Sequence, residues 1–131
     1  MAIGFVVTDE AELRVLLKAL IEAKFHPAPE CREIQGSPYV ASLCERVVEA
    51  IAGCEESKGK FGNAERTRAW YREGRNESVL RAVRRQIAEH ANTKLWLEWP
   101  TEKRADFVRV LLSPYVADDG LVNELIEDTG E

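Results

Sequence analysis

The chain has 131 residues, 45% of them hydrophobic and 31% charged, with a formal net charge of −5 at pH 7. That length fits a single helical domain over residues 1 to 131 built on one hydrophobic core, and the composition excludes a disordered or fibrous chain. No run of about 18 apolar residues could span a bilayer, and the opening MAIGFVVTDE lacks the regions of a secretory signal, so a soluble, cytoplasmic protein is expected.

A short apolar and extended segment, Ile3 to Val7, leads to Thr8 or Asp9 as a helix cap, with Asp9 and Glu12 spaced as a capping box. Leu13, Leu16, Leu17, Leu20 and Ile21 then recur at helical spacing and predict a helix with one buried stripe. Pro27 and Pro29 stop it, since proline lacks the amide N–H and restricts the residue before it.

Ser37-Pro38 predicts the next helix start, an N-cap followed by proline where no N–H is needed. Its stripe is Val40, Leu43, Cys44, Val47, Val48 and Ile51; a cysteine inside such a stripe reads as a buried, inert thiol. The helix is expected to end between Gly53 and Ser57, with a basic loop, SKGKFG, over 57 to 62.

Asn63 is expected to cap a helix ending at Glu73, with Gly74 as its left-handed terminator and Asn76 capping the following helix. On that helix Val79, Leu80, Val83, Ile87, His90 and Ala91 share a side, which places His90 at the core's edge. LWLEWP, 95 to 100, reads either as continued helix or as a short extended piece. Thr101 to Leu112 follows as a helix turning Ala105, Val108, Leu111 and Leu112 inward. Ser113-Pro114 repeats the start signal of Ser37-Pro38, ahead of a last helix bearing Leu121, Val122, Leu125 and Ile126 and a mobile acidic tail, 127 to 131. The fold expected is an all-α bundle of five to six helices. SPYVA and RVLL each occur twice, but at unequal separations, which argues for shared helix-start grammar over duplication.

Charge is segregated along the chain. Residues 1 to 57 carry a net −5, residues 58 to 85 a net +6, residues 86 to 116 none, and residues 117 to 131 six acids and no base. A basic middle between acidic ends either neutralises itself in the fold or makes one face attractive to anions.

Motifs for chemistry are lacking. GCEESKGKF, 53 to 61, is one residue too long for a phosphate loop, and Phe61 stands where a hydroxyl is required. His26, Cys31, Cys44, Cys54 and His90 show no close ligand pairs, so no metal is expected, and the odd cysteine count reads as reduced thiols. No cysteine sits where a helix start would activate it, and no carboxylate interrupts an apolar stripe. An enzyme is not expected, and no cofactor.

The basic stretch RTRAWYREGR, 66 to 75, remains. At helical spacing Arg68, Arg72 and Arg75 form one strip, which has only Glu65 as a nearby acid, while Ala64, Thr67, Trp70 and Tyr71 occupy the adjoining arc. The function expected is a protein-binding module, as an inhibitor, immunity-type factor or adaptor, docking a protein partner through a charged surface. Candidate contacts are Arg68, Arg72, Arg75, Trp70 and Tyr71 on the basic side and Asp118 and Asp119 on the acidic side. The alternative is a nucleic-acid-binding regulator using a helix-turn-helix-like pair over 63 to 95, a unit that a homodimer would present twice. No membrane partner is expected.

Overall fold

Side chains ahead of each apolar stripe set most of the helix starts. In the computed structural model, which describes residues 4–26, 32–72, 76–91 and 93–127, helix α1 runs Glu10–Lys24 and α2 runs Pro38–Ser57. Asp9 caps α1 by accepting the Ala11 N–H at 3.1 Å, and Ser37 caps α2 by accepting from Tyr39 and Val40 at 3.2 and 3.3 Å. Pro38 occupies the first turn, where no donor is missed. A single 3-10 turn, Arg32–Ile34, precedes α2.

Helix α3 spans Phe61–Arg72, α4 Glu77–Ala91, and α5, a single turn, Lys94–Glu98. Helix α6 spans Thr101–Leu112 and α7 Asp119–Glu127. The described residues thus form an all-α fold of six helices of nine residues or more plus the turn α5, with no strand among them. Asn76 caps α4 as expected, accepting from Ser78 at 3.0 Å and Val79 at 3.3 Å. LWLEWP resolves into α5, capped by the Thr93 hydroxyl, followed by extended backbone at Trp99 and Pro100. His90 sits at the core's edge with its ring 5.2 Å from Phe107, edge to face. No helix is long and apolar enough to cross a membrane among the described residues.

Four expectations are corrected. Asn63 does not cap α3: the helix begins two residues earlier, the Ala64 N–H bonds the Lys60 carbonyl, and the Asn63 amide oxygen accepts from Arg66 inside the helix. The 57 to 62 segment is therefore a three-residue link rather than a loop of six, and Lys60 N–H closes it onto the Glu55 carbonyl at 2.8 Å. The second SPYVA does not start a helix. Ser113 ends α6, the Ser113–Pro114 peptide is cis, and α7 starts only at Asp119, with the Asp118 carboxylate accepting the Leu121 N–H at 2.8 Å. The reason is tertiary: the Ser113 hydroxyl donates across to Glu45 at 2.8 Å and lies 3.2 Å from the Ala41 carbonyl, and Tyr115 is buried. Leu43, assigned to the buried stripe of α2, is exposed, while Ala41 and Ala52 are buried. The Gly74 terminator and the tail beyond Glu127 lie outside the described residues.

Two apolar clusters organise the packing. Leu13 and Leu17 of α1 meet Val47, Val48 and Ile51 of α2 in the first. Val79, Leu80, Val83 and Ile87 of α4, Trp96 of α5, Val108, Leu111 and Leu112 of α6, Tyr115, and Leu121, Val122 and Leu125 of α7 make the second. Ile21 and Tyr71 pack against both, and Tyr115 stacks between Tyr71 at 5.2 Å and Phe25 at 5.8 Å.

Lys24, the last residue of α1, also joins the two halves. It is fully buried, and its ammonium nitrogen donates to the carbonyls of Val110, Leu111 and Ser113, the open end of α6. Its own carbonyl lies within hydrogen-bond reach of the Gln86 amide of α4. Burial lowers the Lys24 pKa to about 7, against the upward pull of Cys44 and Glu45.

Candidate functional site: a groove between the first and third helices

Helices α1 and α3 both pack on α2 and make little contact with each other. The start of α1 lies beside the end of α2, as Lys58–Glu10 at 3.6 Å and Arg14–Glu55 at 3.7 Å show, so α1 runs antiparallel to α2. Because the link from α2 to α3 is three residues long, α3 also returns antiparallel to α2, and α1 and α3 run parallel to each other. Between them lies a groove of about 790 Å³. Leu17, Ile21 and Ile51 supply an apolar floor, Tyr71 and Tyr115 close one end, and Arg14, Lys18 and Arg66 stand on the rims.

Polar groups inside the groove are held in place. Glu55 is buried, with one carboxylate oxygen accepting from the Thr67 hydroxyl at 2.6 Å and the other facing Arg14. Burial raises the phenol pKa values of Tyr71 and Tyr115, so both hydroxyls stay protonated at neutral pH; the Trp70 indole partly opposes that rise at Tyr115. The carboxyl terminus of α3 is tied down by the Val116 N–H, which bonds the Tyr71 carbonyl at 2.7 Å. Trp70 remains 61% exposed at the groove's margin, a large aromatic on a fixed helix. The lining carries no cysteine or histidine, and the Glu55 carboxylate already has two partners.

The structure separates the residues singled out in the sequence. Trp70 and Tyr71 both line the groove. Arg68 faces away from it: its guanidinium donates to Glu56 at 2.9 Å and Glu49 at 3.2 Å, both on α2. Those bonds hold the Arg68 guanidinium protonated and lower the Glu56 carboxyl below its usual range. The reading that gave Arg68 only Glu65 as a nearby acid is corrected, because α2 lies alongside α3 and supplies two. Arg72 is exposed, and Arg75 lies outside the described residues. On the acidic side, Asp118 caps α7 and Asp119 accepts from Arg109 at 2.7 Å, so both engage their own helices' surroundings and neither lines the groove.

Over 63 to 95, α3 rests on α2 and α4 on α6, and among the described residues α3 and α4 make at most marginal contact; the turn between them lies outside the described residues. Among the described residues no group of three or more Cys, His, Asp or Glu could hold a metal. A second hollow, of about 500 Å³, lies on the outer face of α1 and is lined by Phe5, Val7, Ala11, Val15 and Leu16.

Arg14, Lys18, Arg66, Thr67 and Glu55 were not singled out by sequence reasoning. One signal was available: Arg14 and Lys18 sit four apart, flanking the stripe of Leu13, Leu17 and Ile21, a cationic border to an apolar face. Protein-family models, curated proteins and solved structures contain no match to this chain.

Proposed function

We propose that this protein is a docking module whose α1/α3 groove receives a segment of a partner protein. The observation that carries the proposal is a groove with an aliphatic floor and an exposed tryptophan on its margin, built on helices pinned from beneath by α2. Tryptophan, tyrosine and arginine dominate the energetics of protein interfaces, and two helices seated on a third leave a trough shaped for an apolar side-chain row. A rigid margin helps as well, since fewer rotamers must be frozen on binding. No specific packing observation favours the nucleic-acid reading.

The test is selection of random 16-residue peptides displayed on phage, followed by titration of the selected peptides into isotopically labelled protein. Peptides are expected to shift amide resonances of residues 14 to 22 and 63 to 71, and to bind Trp70→Ala at least about tenfold more weakly, the loss of one aromatic anchor. Failure to select any peptide, or shifts confined to other surfaces, would overturn the proposal.

A further inference from the structure

We infer that the groove's guest is an acidic amphipathic helix, seated about two turns deep; this rests on the docking function proposed above and specifies the partner's chemistry.

Shape argues for a helix. The lining runs from Arg14 to Glu22 along α1 and from Asn63 to Tyr71 along α3, nine residues and so eight helical rises on each wall. At a rise of about 1.5 Å per residue each wall is about 12 Å long, a little over two helical turns. Both walls and the floor are helices, so their backbone N–H and C=O groups are already paired along each helix. An extended guest would find no sheet edge there, and its own backbone groups would be desolvated without partners. A helix satisfies its backbone internally and presents side chains at i, i+3, i+4 and i+7. Those side chains meet the row of Leu17, Ile21 and Ile51, with Trp70 and Tyr71 flanking.

Charge argues for acidic flanks. The cations of the lining are Arg14 and Lys18 on one wall and Arg66 on the other; its carboxylates are Glu22 and Glu55. Glu55 is buried with Thr67 and Arg14 as its partners, which removes it from any guest. Lys18 is exposed and makes no ion pair among the described residues, and Arg66 bonds only the neutral Asn63 side chain. The groove therefore offers two uncommitted cations, one per wall, against the single carboxylate of Glu22. A guest with apolar residues on one face and Asp or Glu bordering them meets both walls; a basic guest is repelled by them. This cationic trough sits in a chain of net charge −5, so the rest of the surface disfavours acidic guests that do not enter it.

The peptides selected against the whole chain also decide this point. They are expected to show Asp or Glu between apolar residues at helical spacing and to gain helical circular dichroism when bound. Their affinity is expected to fall at least about tenfold against Lys18→Glu/Arg66→Glu, and to fall less against Lys18→Gln/Arg66→Gln. Both positions are exposed, so each variant should melt as the wild type does. Peptides that shift the groove's resonances but are basic, proline-rich or indifferent to the charge reversal would overturn the acidic-helix inference while leaving the docking function standing. Absence of any groove-seated peptide would remove both.

Discussion

Lys24 shows how one side chain can be written in a sequence without announcing its role. It closes α1 as an ordinary basic residue in a last turn, yet its ammonium bonds carbonyls 86 to 89 positions away. Burial brings its folded pKa down to about 7 from 10.5, so between these values the unfolded chain binds more protons than the folded one. Its contribution to stability is therefore fullest above the unfolded value and is lost as pH falls through about 7. Urea melts at pH 7, 8 and 9 should show wild type gaining on Lys24→Met as pH rises, with a flat difference below pH 7. Wild type losing ground to Lys24→Met between pH 7 and pH 9 would contradict the buried environment. Arg68 was misread for the same reason as Lys24 was missed: its acids, Glu49 and Glu56, are 19 and 12 residues upstream and become neighbours only when α3 folds back on α2.

At the scale of the helix, local grammar is legible where a side chain caps its own backbone and fails where another element claims that side chain. Asp9, Ser37 and Asn76 act as caps, as their sequence positions imply. Asn63 has the same chemistry as Asn76 but lies inside α3, which starts at Phe61 with a backbone bond from Ala64 to Lys60 and with Ala64 buried. The contrast is measurable: Asn76→Ala should cost about 1 kcal/mol, the usual worth of a side-chain cap, and Asn63→Ala no more than about 0.5 kcal/mol. Equal losses in denaturant melts would restore Asn63 as a cap. SPYVA makes the same point twice over, since five identical residues begin α2 at Ser37 and follow the end of α6 at Ser113. The buried stripes of α1, α4, α6 and α7 were legible because period and burial coincide there. The groove was not, because it is the space between α1 and α3, and no single helix's pattern describes a gap.

Across the whole molecule, the two apolar clusters meet through few residues, chiefly Ile21, Tyr71, Phe25, Tyr115 and Lys24. Ile21, Tyr71 and Tyr115 also line the groove, so binding and cohesion share side chains. Tyr71→Ala should lower stability by about 2 kcal/mol, less than a fully buried aromatic because the ring is half-exposed, and should weaken guest peptides as well. Trp70→Ala should weaken the peptides and lower stability less than Tyr71→Ala does, since its ring is mostly exposed and only its hydrogen bond to the Tyr115 side chain is lost. Thermal melts of the two variants read alongside their peptide affinities separate the roles, and a Trp70→Ala protein that melts as early as Tyr71→Ala would make the exposed ring structural. The bond from Lys24 to the end of α6 has a further consequence for how the molecule opens. When the end of α1 comes away, the last carbonyls of α6 lose their donor, so opening at these two helix ends, distant in the chain, is expected to be coupled, and a guest that braces α1 from the groove should also protect the end of α6.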